Sequence, residues 1–137
     1  MHRKIISWGL SFAALSVLLG AFGAHALKAI VNTDHLQIFE TGVRYQFMHA
    51  MALIILSIYS NRQDLSIGKQ KGLGWAANFF IVGTLFFSGS LYLLTLLSTT
   101  DHPLIRFIGP ITPLGGLCFI LGWLSWGRVV YLNKVDK

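Results

Sequence analysis

The chain has 137 residues, of which 54% are apolar and 12% charged, with a formal charge of +6 and a mean hydropathy of +0.63. A soluble domain of this size carries about 25% charged residues, and the apolar residues here come in runs too long for soluble helices, which excludes a soluble module. The cations are not gathered into a stripe with interleaved aromatics, so their excess does not indicate a nucleic-acid partner.

A membrane span needs about 20 mostly apolar residues. Four stretches read as spans, at about 5–26, 43–59, 73–97 and 111–132, and little chain is left outside them. The predicted fold is all-α, one integral membrane domain over 1–137, a four-helix bundle with short loops. Arg3, Lys4, Arg62, Lys69, Lys71, Arg128, Lys134 and Lys137 fall at the termini and between the second and third spans, whereas the other two connections hold Lys28, Arg44 and Arg106. Short loops with this asymmetry obey the positive-inside rule, which predicts that both termini are cytoplasmic.

The first stretch opens on Met1-His2-Arg3-Lys4 and ends near Ala24-His25-Ala26, an Ala-x-Ala pattern that also suits a cleaved secretory signal. A signal's apolar region runs about 7–15 residues. This run is longer, so an uncleaved first helix is expected. Gly20, Gly23 and Ala24 give it small residues at its outer end, where a neighbouring backbone can approach. His25 beside them is expected at the interface.

In the second stretch Asp34 is the predicted N-cap, with Gln37 three residues on as in a capping box, and the helix is expected over about 35–59. Glu40 and Arg44 lie four residues apart with the acid first, the better order for an ion pair on one helix face. Glu40→Gln alone is therefore expected to strand Arg44 and destabilise the protein. His49 is nine residues from Glu40, about 180° around the helix at 100° per residue, so these three do not make one site without a neighbouring helix.

Residues 60–72 read as a polar, basic connector. The third span carries Gly83, Ser88, Gly89, Ser90, Tyr92 and Thr95 in its outer half, expected mainly as close-packing residues with hydroxyls bonded to the preceding turn. A second outer connection holds Asp101, His102, Pro103 and Arg106. Thr112 before Pro113 is the predicted N-cap of the last helix, Gly115 and Gly116 leave room for a neighbour, and Trp123, Trp126 and Tyr131 read as an interfacial aromatic anchor. Cys118 is the sole cysteine, so no internal disulfide can form. No inverted repeat of the transporter kind is recognisable.

Four motifs, in order, are Gly20-Ala21-Phe22-Gly23-Ala24-His25, Phe39-Glu40-Thr41-Gly42-Val43-Arg44-Tyr45-Gln46-Phe47-Met48-His49, Phe87-Ser88-Gly89-Ser90-Leu91-Tyr92, and Gly109-Pro110-Ile111-Thr112-Pro113-Leu114-Gly115-Gly116. Together they resemble the small membrane proteins grouped as domain of unknown function family 423, the YgdD- and YwdK-like, transmembrane protein 256-like family, over nearly the whole chain. The resemblance implies a multi-pass protein, in bacteria of the cytoplasmic (inner) membrane. It supplies no function and no catalytic residue.

With this threading, all four motifs converge on the outer half. An outward-facing polar cluster of His25, Glu40, Arg44, Tyr45, His49, Ser88, Ser90, Tyr92 and Thr112 is one expectation, with Gly20, Gly23, Ala24, Gly89, Gly115 and Gly116 as helix-packing positions. The favoured alternative is that these groups serve packing alone. Three functional classes follow. The favoured one is a structural or accessory component that binds lipid, another membrane protein or a second copy of itself. A small-solute or ion transporter or channel component is the alternative, disfavoured because no polar stripe crosses the inner half. A membrane-embedded enzyme using His25, His35, His49 and His102 with Glu40 or Asp101 comes last, since no His pair at i, i+4 with a carboxylate marks a metal site. No cofactor and no metal are expected.

Overall fold

The structure, a computed structural model, describes residues 2–62, 65–100 and 103–135. It is helical throughout these residues: α1 (His2–His25), α2 (Thr33–Arg62), α3 (Ile67–Leu97), a single turn α4 (Ile105–Ile108) and α5 (Ile111–Val135), with 3-10 turns at Leu27–Ala29 and Ser98–Thr100. Three of the helical stretches, Arg3–Ala29, Ile67–Thr100 and Ile105–Asn133, are long and apolar enough to cross a membrane. The stretch expected to span at 43–59 lies within α2, which is long, at 30 residues, but does not reach the same apolar threshold. Arg44, Gln46 and His49 interrupt that stretch, and Gln37 and Glu40 precede it.

Each long helix packs along the next one in sequence, α1 on α2, α2 on α3 and α3 on α5. The pairing is antiparallel at every step. A Cβ on Gly9 would meet Ile54 and one on Gly23 would meet Phe39, while Gly42 abuts Tyr92, Gly72 abuts Val129 and Gly83 abuts Phe119. The starts of α1 and α3 and the finishes of α2 and α5 therefore share one end, the terminal end. The opposite, loop end holds the α1–α2 and α3–α5 connections.

The tightest approach is α3 on α5. A Cβ placed on Gly115 would overlap the backbone nitrogen of Phe87 and lie 2.8 Å from its Cα; only glycine lets these two helices touch backbone to backbone. The buried core joins Phe12, Leu53, Leu56, Leu73, Phe80 and Phe119. Outward-facing apolar side chains are at least as numerous. Val17 is 66% exposed, Leu18 68% and Leu124 64%, a surface that lipid covers and water would not tolerate.

Two helix starts differ from expectation. The cap of α2 is Asn32, whose Oδ1 accepts from the His35 backbone N–H at 2.8 Å, so Asp34 already lies inside the helix. Asn32 is three residues before the donor it satisfies, the usual N-cap geometry. α5 begins at Ile111, one residue ahead of Thr112, whose hydroxyl is bonded to α3 instead.

Candidate functional site

Gln46 and His49 stand three residues apart on α2, hence on one helix face, and that face is turned inward. Gln46 is 3% exposed. Its Nε2 donates to the Phe12 carbonyl of α1 at 3.0 Å, and its Oε1 accepts from the Tyr92 hydroxyl of α3 at 3.1 Å. One amide thus joins three helices. Its burial is tolerated because both ends find partners, whereas a buried amide without them costs several kcal/mol, about 2–7. The Phe12 carbonyl also receives the Ser16 hydroxyl at 2.8 Å.

His49, 4% exposed, is held by two bonds that together dictate its protonation. Its Nδ1 lies 2.8 Å from the Tyr45 carbonyl, which can only accept, so Nδ1 carries the hydrogen. Its Nε2 lies 3.3 Å from Nε1 of Trp123 on α5; an indole N–H can only donate, so Nε2 is bare. The ring is the neutral Nδ1–H tautomer. It stacks on Phe119 with centroids 3.5 Å apart and planes 7° from parallel, and Phe80 flanks it at 5.5 Å. His49 and Trp123 both fall at the midpoints of their helices. Trp123 is therefore not an interfacial anchor, as its neighbours in sequence had implied; it is a donor at mid-depth, with Trp126 stacked on it at 5.6 Å. Tyr131 is 69% exposed near the finish of α5.

Hydroxyls make two more interhelical bonds. Ser90 of α3 pairs with Thr112 of α5 at 2.7 Å, and Thr95 donates to the His35 carbonyl of α2 at 3.1 Å. Ser88 is wholly buried beside Tyr92, and among the described residues its Oγ reaches no partner in hydrogen-bond geometry; nor does Nε1 of Trp126.

The nine residues of the expected polar cluster do not assemble into one site. His25 is exposed and bonds back to the Ala21 carbonyl of its own helix at 3.0 Å. Glu40 and Arg44 are both exposed, and no ion pair within 4.0 Å joins them; two long side chains at a polar surface gain too little from pairing to be held together. Tyr45 lies against Phe87 at 4.7 Å. His49 joins α2 to α5, Tyr92 joins α3 to α2, and Ser90 and Thr112 bond each other across α3 and α5. Among the packing positions, Gly115 and Gly23 meet a neighbouring helix closely and Gly20 meets Val43 at 3.6 Å. Gly116 is in ordinary contact with Phe87 at 3.9 Å, Gly89 has nothing within 4 Å, and Ala24 is exposed. No set of three metal-ligating side chains gathers among the described residues; Asp101 and His102 lie outside them.

Reading the motifs for charge overlooked Gln46 and the partnership of Trp123. A signal was present for Gln46: an amide three residues before an imidazole in an apolar helix sets two polar groups on one face. Nothing in the sequence pairs Trp123 with His49, because that contact joins α2 to α5, helices that are not neighbours in the chain.

The model of a family described as "Protein of unknown function (DUF423)" matches residues 19–116. The chain is similar to the UPF0382 membrane protein SH2409 of Staphylococcus haemolyticus, 40% identical over 122 residues that cover 89% of this chain and 90% of that one. It is similar to the UPF0382 membrane protein YwdK of Bacillus subtilis, 38% identical over 89% of this chain and 91% of that one. The UPF0382 inner membrane protein YgdD of Escherichia coli is 38% identical over 118 residues, 83% of this chain and 82% of its own. No solved structure matches.

Proposed function

Because the chain belongs to DUF423, a family of proteins of unknown function, its own geometry carries the functional reading, and we propose a non-catalytic membrane component: four spans, both termini cytoplasmic, a closed interior, and outer faces that bind lipid or another membrane protein. The observation that carries this reading is the engagement of the motif side chains. Gln46, His49, Ser90, Tyr92 and Thr95 each bond to another helix, where a transport path or an active site would turn such groups towards a cavity. Towards the terminal end the inward residues are mainly apolar, Leu53, Leu56, Leu73, Ala76, Ala77 and Val129, beside Ser57 and Ser60. A conducting path needs polar groups or constrictions along its whole length. α2 can cross although it is the least apolar helix, because its buried polar residues, Gln46 and His49, are bonded to α1, α3 and α5 and not left to lipid.

Two measurements test the proposal. In proteoliposomes carrying a pH-sensitive dye, proton leak should equal that of empty vesicles; a faster leak that His49→Phe suppresses would overturn the closed interior. In a Cys118→Ser background, Lys28→Cys should react with an impermeant thiol reagent from outside the cell and Asn61→Cys only after permeabilisation. The reverse pattern, or labelling of both from one side, would overturn the threading.

A further inference from the structure

One face of α2 carries acid, base and apolar side chains in a fixed order from the loop end inward: Glu40, Arg44, then Phe47, Met48, Met51 and Ile55, all exposed. At 100° per residue these six positions fall within about 100° of the helix circumference. Ser16 and Val17 of α1 stand beside them, and with Val43, Arg44, Phe47 and Met48 they line a shallow groove of about 320 Å³ between the two helices. α2 has 30 residues and so is about 45 Å long, close to the thickness of about 40–45 Å of a bilayer with its headgroups. At about 1.5 Å per residue, Glu40 lies about 10 Å and Arg44 about 16 Å from the start of the helix, around the depth where headgroups give way to hydrocarbon. Long helical side chains lean towards the helix N-terminus, so the Arg44 guanidinium leans back to that boundary. No ion pair within 4.0 Å joins it to Glu40.

We infer that this face is a binding site for a zwitterionic phospholipid with a primary ammonium, phosphatidylethanolamine. Arg44 holds its phosphodiester, Glu40 accepts from its ammonium, and its acyl chains lie along Phe47, Met48 and Met51 beside Val17. Charge complementarity in depth carries the choice of occupant. From the bilayer core outward the lipid reads apolar, anion, cation; the helix face reads apolar, cation, anion. One helical turn separates Glu40 from Arg44, about the reach of the two-carbon arm between phosphate and ammonium, and a guanidinium suits a phosphate's paired oxygens. An anionic lipid has no cation to set against Glu40, and the trimethylammonium of phosphatidylcholine has no N–H to donate. A second copy threaded the same way would bring Glu40 level with Glu40 and Arg44 level with Arg44, so it fits the face less well than the lipid does. The inference deepens the proposed lipid-binding outer face and rests on it, but not on which side of the membrane the loop end occupies.

The test uses the full-length protein in a neutral detergent, where native mass spectrometry counts retained phosphatidylethanolamine, phosphatidylcholine and phosphatidylglycerol of matched acyl chains. The wild type should retain one phosphatidylethanolamine at a concentration roughly fivefold below that needed for either other lipid, the factor for one charge near a membrane surface. Glu40→Gln should erase that preference, and Arg44→Gln should weaken the binding of all three lipids roughly fivefold. Arg44→Lys keeps the cation and should keep the preference. Glu40→Arg with Arg44→Glu keeps both charges and the net charge but reverses their order, and it should lose the preference as Glu40→Gln does. Survival of the preference in Glu40→Gln or in the reversed variant, at unchanged helix content, would overturn the inference. Displacement of the lipid by free phosphoethanolamine at the concentration where the lipid itself binds would overturn it too, by making the site one for a soluble zwitterion. So would a dimer that forms in place of the lipid adduct and is lost in the same variants, by assigning the charges to a protein contact. Equal retention of the three lipids by the wild type would refute this site and leave the lipid-binding outer face standing, whereas bare protein with all three would overturn both.

Discussion

Gly115→Ala and Gly89→Ala are the same chemical change in neighbouring helices, and the structure assigns them opposite signs. In a helix interior alanine is favoured over glycine by about 1 kcal/mol. At Gly89 that gain stands alone, because a Cβ there meets nothing within 4 Å. At Gly115 the new methyl would lie 2.8 Å from Cα of Phe87 and closer still to its nitrogen, where ordinary carbon contacts are about 3.5–4.0 Å. Backbone cannot rotate aside as a side chain can, so α3 and α5 must part by about 1 Å. Overpacking of this kind costs about 1–3 kcal/mol, which exceeds the propensity gain. The Ser90–Thr112 bond, three residues from each side of the contact, should stretch with it. Reversible unfolding in mixed micelles, titrated with sodium dodecyl sulfate and followed by far-ultraviolet circular dichroism, reads both variants. Gly115→Ala should unfold more easily than wild type by up to about 2 kcal/mol, and Gly89→Ala should be neutral or more stable by up to about 1 kcal/mol. Equal behaviour of the two, or a stable Gly115→Ala, would refute the packing argument.

Gln46→Leu should destabilise by about 1–2 kcal/mol, and a double-mutant cycle with Tyr92→Phe should return a coupling of about 0.6–1.7 kcal/mol, the range for hydrogen bonds between membrane helices; zero coupling would mean that the two groups do not bond. A cycle of Ser90→Ala with Thr112→Val should give a coupling in the same range. Glu40→Gln, expected from the sequence to strand Arg44, should instead shift the same titration by less than about 0.5 kcal/mol, as exposed substitutions do, and Glu40→Gln with Arg44→Gln should show no coupling.

The helices were legible because apolar run length is a property of the chain alone, and the antiparallel order follows once short loops join long helices. Helix starts were less so. Asn32, Thr33 and Asp34 are all acceptable caps, and which one serves depends on where the chain leaves the Leu27–Ala29 turn. Glu40 and Arg44 carried the strongest local signal, an i, i+4 pair of opposite charge, yet the spacing says only that they can meet; both side chains face outward and do not. Gln46 had a weaker signal and lies at the centre of the structure, because bonds from α2 to the Phe12 carbonyl and to Tyr92 are made across 34 and 46 residues of sequence. Gly89 and Gly115 look alike in their motifs, and only the face each presents to a neighbour tells them apart.

The claim at the centre of this account is that the polar residues of the motifs join helices in a dry interior, and His49 reports on it most directly. The chain has five histidines, so a spectrum of the protein labelled with ¹⁵N-histidine in lipid bilayers, minus that of His49→Phe, isolates this ring by solid-state NMR. The account predicts one signal pair in neutral buffer: protonated Nδ1, bare Nε2, and no magnetisation transfer from water. An imidazolium, a mixture of tautomers, or a cross-peak to water would contradict it and would place His49 in an open, hydrated pocket.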